Sequence, residues 1–318
     1  MSVIKIGISA CLLGHNVRFN GSNCHKKWLT KDWSKHFDYK IFCPEVAAGL
    51  GVPRKSMLIM ADPQESHLKL VTRDDPKTEL TSLISKASQQ ILESCDDING
   101  FIVKRGSPSC GSGSAKLYNE KLNVKSHRQD GLFIQTLKTR FPYLPIEDEG
   151  RLNDSAIREH FIKQVGLYHA AKVMLKTVSK ISDLEAFHTR NKMMLQLHHP
   201  NNQKLLGHLI ANWNKQKNLE AIKQQYFDLF VSSFGNIATP ARHYSLMQRC
   251  FREINRHLDK CCRADIQEML LAYLKDLVPL ATPMAILRHY AKRYQQSFIV
   301  HQSYLYPYPD ELGLMKGV

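Results

Sequence analysis

The sequence predicts an α/β N-terminal domain followed by an all-α C-terminal domain. Three observations carry this. Residues 1–150 alternate short apolar runs with longer mixed segments, the pattern of a layered, mostly parallel sheet. Residues 141–151 break that pattern with Pro142 and Pro145, the acids Glu147, Asp148 and Glu149, and Gly150. Beyond them the apolar spacing is helical almost to the end. The boundaries are therefore 1–150 and 151–318.

In the first part, strands are expected at 3–9, 39–43, 57–60 and 100–104, with a further apolar run at 131–134. Helices are expected at 26–36 and 78–94. The second has Leu80, Leu83, Ile84, Ala87, Ile91 and Leu92 at helical spacing. In the second part, helices fit 155–180, capped by Asn153 or Asp154, then 183–197, 201–213, 219–233, 239–277 in one or two pieces, and 282–296. The aromatic, proline-bearing tail 301–310 reads as extended and docked.

A chain of 318 residues with 43% hydrophobic and 23% charged residues is long enough for two globular cores. No run of about 18 apolar residues occurs, so no membrane helix is expected. The start, Met1-Ser2-Val3-Ile4-Lys5, reads as a first strand and not a signal peptide, which points to the cytoplasm. Eight cysteines are too sparse for a disulfide scaffold. In a reducing compartment they serve as thiols, metal ligands or catalytic groups. The formal charge is +15 and the pI is near 9.4. Residues 1–150 contribute +5 and the remainder +10. Such a balance attracts polyanions, nucleic acid among them, or simply keeps the surface soluble.

Three cysteines stand where apolar runs end. Cys11 follows 3–10, Cys43 follows 39–42, and Cys110 lies in the Arg105-Gly106-Ser107-Pro108-Ser109-Cys110-Gly111 turn after 100–104. Strand ends in an open α/β sheet are where ligands bind. Core packing would suit any one of these thiols. A zinc site would want a fourth ligand, for which Cys24 or His25 is available, although no C-x₂-C pair is present. An iron–sulfur cluster on three thiolates would leave one iron open. Spacing alone leaves zinc and cluster both open.

The motifs Ser9-Ala10-Cys11-Leu12-Leu13-Gly14, Val17-Arg18-Phe19-Asn20-Gly21, Cys43-Pro44-Glu45-Val46-Ala47-Ala48-Gly49-Leu50 and Ser107-Pro108-Ser109-Cys110-Gly111 resemble the thiouracil desulfidase family, across roughly residues 3–150. The remainder, with Tyr304-Leu305-Tyr306-Pro307-Tyr308-Pro309-Asp310-Glu311-Leu312, is similar to a helical domain often fused to it. The fused form resembles enzymes that remove sulfur from 4-thiouridine in tRNA. This resemblance implies a 4Fe–4S cluster bound by Cys11, Cys43 and Cys110, acting as a Lewis acid on the thiocarbonyl sulfur, with water adding to the carbon. It implies that Glu45 is the acid/base and that Ser107 orients the pyrimidine or the water, with Ser109 ranked behind it. Glu45 would equally serve as an acid at a helix start, and Ser107 as a turn former. Arg18 and Arg105 are candidates for contacting phosphate or base.

In the second part, Arg249, Arg252, Arg256, Lys260 and Arg263 are spaced to share one helix face, an arrangement suited to a phosphate backbone. Arg288, Lys292 and Arg293 form a second set near Tyr290 and Tyr294, whose rings could stack on unpaired bases. This part holds ten of the fifteen histidines. Adjacent His198 and His199 point different ways on a helix and are expected to be solvated or capping. Cys24, Cys95, Cys250, Cys261 and Cys262 are expected to be non-ligands. The expected activity is desulfidation of 4-thiouridine in tRNA, an enzyme reaction releasing sulfide. Free thiouracil as substrate, or a non-catalytic metal-containing nucleic-acid binder, are the alternatives.

Overall fold

A computed structural model describes residues 3–61, 68–213 and 218–308. The chain divides into two compact units, at Met1–Asp154 and Ser155–Val318. Among the described residues no helix is long and apolar enough to cross a membrane.

The first unit is α/β. Its central sheet has the order β2-β1-β5-β8, with β1 Ile4–Ser9, β2 Phe37–Phe42, β5 Gly100–Val103 and β8 Ile146–Asp148. All neighbouring strands in it are parallel. Ile6, Ile8, Phe101, Ile102 and Val103 are fully buried, as strands covered on both faces require. Gly7 makes room for the Phe101 ring, since a Cβ at Gly7 would lie 2.4 Å from that ring. Phe101 stacks on Phe42 with centroids 5.6 Å apart. The expected strands at 3–9, 39–43 and 100–104 therefore lie side by side, with their C-terminal ends on one edge.

A second sheet, order β4-β3-β6-β7, comprises β3 Met57–Ala61, β4 Leu68–Thr72, β6 Ala115–Tyr118 and β7 Val124–Gln129. It is mixed: β3 runs antiparallel to β4 and parallel to β6. The helices of this unit are α1 Lys27–Lys31, α2 Pro44–Ala47, α3 Thr81–Glu93 and α4 Leu132–Arg140. Ile84 and Leu132, from α3 and α4, pack with Ile59, Leu70 and Ala115 into one core. The apolar run 131–134, expected as a strand, is the buried start of α4. The break at 141–151 contains β8, so this unit continues through Asp154.

The second unit is all-α. Its helices are α5 Ser155–Thr177, α6 Ile181–His198, α7 Pro200–Ala211, α8 Leu219–Ser232, α9 Pro240–Asn255, α10 Lys260–Leu274, α11 Ala281–Arg293 and α12 Ser297–Val300. Stacked and edge-on rings of Phe187, Tyr226, Phe230 and Phe234 build the core. The tail is turned and not extended up to Tyr306, because its prolines begin only at Pro307. It is anchored on α6. The Gln302 side chain accepts from the Met193 amide at 3.1 Å and donates to the Thr189 carbonyl at 2.8 Å. Buried Tyr304 lies 3.2 Å from His243 Nδ1. Pro309 to Leu312 of the tail motif lie outside the described residues.

Candidate active site

The three strand-end cysteines meet on one pocket. Cys11 sits in a 3₁₀ turn, Ala10–Leu13, directly after β1. That turn closes on Gly14, whose φ of 98° is the left-handed conformation glycine tolerates. Cys43 is the residue that starts α2 after β2. Cys110 lies in the turn after β5. Because β2, β1 and β5 are adjacent and parallel, their ends deliver all three thiols to the same edge.

The Cys110 turn is built by backbone hydrogen bonds. Ser107 Oγ accepts from the Cys110 amide at 3.1 Å and from the Ser109 amide at 3.3 Å. Helix α4 begins against the turn. The amides of Gly131, Leu132 and Phe133 donate to the carbonyls of Gly111, Pro108 and Ser109 at 2.8, 3.2 and 3.1 Å. These are helix N-terminal donors that have no partner within the helix, so the turn and the helix satisfy each other. The approach demands glycine at 131, since a Cβ there would lie 2.4 Å from the Ser109 carbonyl oxygen.

The pocket opens to solvent. Cys11, Cys43 and Cys110 line it together with Glu45, Arg54, Ser107 and Ser109. Arg18, Lys104 and Arg105 also contribute to its wall. Cys11 and Cys110 are each 7% exposed. None of the three is in a disulfide. Burial pushes the Cys11 thiol up to about 12, with Cys24 and Cys43 adding to the effect. Burial raises Cys43 as well, and it drives Cys110 far above the ordinary thiol range with help from the Glu45 carboxylate. Such groups stay protonated until a cation displaces their protons.

Glu45 is the half-buried acid of the site. Arg54 holds its Oε2, with Arg54 Nε at 2.9 Å and a second, very close contact from Arg54 Nη2. The two side chains are 8% and 13% exposed for arginine and glutamate. Arg54 is itself fixed by donating to the carbonyls of Val17 and Gly51 at 2.8 and 3.1 Å. On the other carboxylate oxygen, Ser109 Oγ donates to Glu45 Oε1 at 2.6 Å. Ser107 Oγ lies 3.1 Å from Ser109 Oγ, so a chain of hydrogen bonds runs Ser107–Ser109–Glu45. The serine that touches Glu45 is thus Ser109, while Ser107 braces the turn.

Of the two arginines named from sequence, Arg18 reaches Ser22 Oγ at 3.3 Å, and the Arg105 amide donates to Glu149 at 2.7 Å. Lys104 is ion-paired with Glu149. Cys24 bonds through its amide to the Cys11 carbonyl at 2.9 Å but does not line the pocket. His25 is turned to Thr30 Oγ1, at 2.9 Å. Neither completes a four-ligand zinc set. Among the described residues no three His, Cys, Asp or Glu side chains gather closely enough to hold a metal ion. The donor set is three soft thiols lining one pocket, a chemistry that fits an iron–sulfur cluster taking one thiolate per iron.

In the second unit, the cationic face expected across 249–263 is divided between two helices. Arg249 and Arg252 are on α9, Arg256 follows its end, and Lys260 and Arg263 are on α10. Asp259 causes the break by accepting the Cys262 amide at 2.8 Å as the cap of α10. Arg249 is engaged with Gln196. His199 caps α7 through the Asn202 amide at 3.1 Å, whereas His198 is buried and not solvated.

The first unit is thus an α/β domain that gathers three thiols and an arginine-paired carboxylate on one pocket. The 2-thiouracil desulfurase family matches residues 6–149, and a domain of unknown function, DUF1722, matches residues 192–309. The chain is 32% identical to the uncharacterized protein YbbK of Bacillus subtilis over 155 residues, 46% of this chain and 97% of that protein. It is 23% identical to the uncharacterized protein YbgA of Escherichia coli over 128 residues, 40% of this chain and 76% of that one. Among solved structures, the [4Fe-4S]-dependent thiouracil desulfidase TudS is 30% identical, with 47% of this chain and 93% of that one covered and a TM-score of 0.38. The chain belongs to the 2-thiouracil desulfurase family, with that domain fused to a DUF1722 domain.

Proposed function

We propose that this protein is a cytoplasmic desulfidase that converts 4-thiouridine in tRNA to uridine and releases sulfide, with a 4Fe–4S cluster held by Cys11, Cys43 and Cys110. The observation that carries the reading is the convergence of those three thiols and the Glu45 carboxylate on one pocket. The reaction balances without a redox partner, since thiocarbonyl plus water gives carbonyl plus hydrogen sulfide. When bound, the cluster would supply a Lewis-acidic iron for the soft thiocarbonyl sulfur.

The chain's own groups handle protons and position. Arg54 occupies Glu45 Oε2, so proton traffic falls to Oε1. Ser109 stands between Oε1 and Ser107 and can pass a proton along the chain of hydroxyls. Two amides donate to Ser107 Oγ, which leaves its hydrogen to donate to Ser109 or to the pyrimidine. Arg18 and Arg105 on the pocket wall would meet the nucleotide's phosphate, and the +10 charge beyond residue 150 favours a polyanion over a free base.

The test is anaerobic incubation of the purified protein with thiolated tRNA and with free thiouracil, measuring sulfide. Release from tRNA is expected. Turnover of free thiouracil with none of tRNA would establish the second reading, which the family description favours. A colourless, iron-free protein prepared anaerobically would remove the cluster.

A further inference from the structure

We propose that Tyr290, Tyr294 and His257 form a stacking platform for unpaired nucleotides of RNA. Tyr290 and Tyr294 are four residues apart, on one face at the end of α11. Their rings are 6.1 Å apart and within 8° of parallel. His257, from the turn between α9 and α10, continues the stack, 5.1 Å from Tyr294 and inclined by 18°. Two distant segments thus supply three nearly parallel rings. His257 is exposed and the tyrosines are half-buried.

The rings are held in place before any ligand arrives. Tyr290 donates its hydroxyl to Cys262 Sγ at 3.3 Å. His257 Nε2 accepts from Arg256 Nε at 3.0 Å and lies 3.0 Å from Gln296 Nε2. A ring already fixed loses little freedom on binding. Cations stand beside the stack: exposed Arg256, bonded to His257, and exposed Arg293, with its guanidinium 5.9 Å from the Tyr294 ring centre. Against them stand Glu253 and Asp259, and Asp259 is spent on capping α10.

The outer face of a ring stack takes a further base, and cations at its rim take phosphates. A duplex hides its base faces inside the stack, so the matching ligand is a single-stranded stretch or loop. The proposal extends the RNA-substrate reading but its test does not use desulfidation. Binding of a short fluorescein-labelled oligouridine to the full-length protein is read by anisotropy, with unlabelled heparin as a base-free competitor. Tyr290→Ala/Tyr294→Ala is expected to weaken oligouridine binding about tenfold or more, and Tyr290→Phe/Tyr294→Phe to leave it within about twofold. Heparin binding should be unchanged in both. Undiminished oligouridine binding by the alanine variant, or an equal loss toward heparin, would overturn the platform. Should the double alanine variant lose its helical circular dichroism, His257→Ala, at the exposed end of the stack, carries the same expectation. Oligouridine binding through the rings without sulfide release from thiolated tRNA would leave the platform standing and remove the tRNA desulfidation reading.

Discussion

Ser109 Oγ donates to Glu45 Oε1 at 2.6 Å, on the carboxylate oxygen that Arg54 leaves free. This contact joins the Cys110 turn to the Cys43 helix, and it sets a buried hydroxyl against the acid that lines the pocket. Glu45→Gln keeps the shape and removes the base, so sulfide release should fall roughly 100-fold or more with iron content unchanged. Ser109→Ala should lower it about tenfold, because it removes one hydrogen bond to a charged group. Sulfide assay and iron analysis on the same anaerobic samples check both. A full-rate Ser109→Ala variant would dismiss the hydroxyl relay.

Arg54 compensates a carboxylate that has little water to turn to. Arg54→Ala should therefore destabilise the first unit by about 3 kcal/mol, since it strands a half-buried charge. Adding Glu45→Gln should restore much of that loss while leaving the enzyme inactive. Urea unfolding of the single and double variants measures the coupling. Equal midpoints for Arg54→Ala and wild type would mean that Glu45 is already solvated.

The thiols were legible because each follows an apolar run and precedes a turn signal, and the parallel order β2-β1-β5 then brings them together. Arg54 carried no such signal. Its carboxylate partner is nine residues away, and only the path of the loop between them makes them meet. A half-buried acid in search of a cation was the available clue. The second sheet was largely unread because β7, Val124–Gln129, is polar and lies mostly exposed, so it lacks apolar alternation. At 131–134 the opposite happened: a glycine and three apolar residues are too few to separate a strand from the buried turn of a helix. The continuous cationic face failed at Asp259, whose capping role ends one register and begins another.

Cys11→Ala, Cys43→Ala and Cys110→Ala should each abolish retention of four irons per chain, if each thiol holds one corner of the cluster. Cys95→Ala and Cys250→Ala, both buried away from the pocket, should retain it. Iron and acid-labile sulfide per chain, after anaerobic reconstitution, distinguish the two groups. Full cluster content in any of the first three would reassign that ligand.

Gly131 is a second route to the same turn without touching a ligand. A methyl group there meets the Ser109 carbonyl oxygen at 2.4 Å and the Cys110 amide nitrogen at 2.9 Å, both backbone atoms that cannot rotate aside. Gly131→Ala should push the turn away, costing about 1–3 kcal/mol. Because Cys110 and Ser109 move together, cluster content and turnover should both drop. Normal iron content in a stable Gly131→Ala variant would show that the turn yields freely.

The histidines of the helical unit make its stability sensitive to acid. Burial holds His160 and His188 down to about 4, and His198 and His243 down to about 3, against an ordinary value of 6.5. Lys163 adds to the depression at His160, His198 and His243, and Arg242 adds to it at His198. The Nε2 atoms of His160 and His198 are buried with no hydrogen-bond partner, which suits a neutral ring and penalises a charged one. Below pH 6.5 the unfolded chain takes up protons that the folded unit refuses, so stability falls as pH drops from about 6.5 toward 4. Each such histidine withdraws up to about 1.4 kcal/mol per pH unit in that window. The helical circular dichroism should therefore melt at progressively lower temperature at pH 6 and pH 5 than at pH 7.5. His198→Leu should flatten the dependence by one histidine's share. A melting temperature that stays level down to pH 5 would mean that these rings are hydrated and charged in the folded protein.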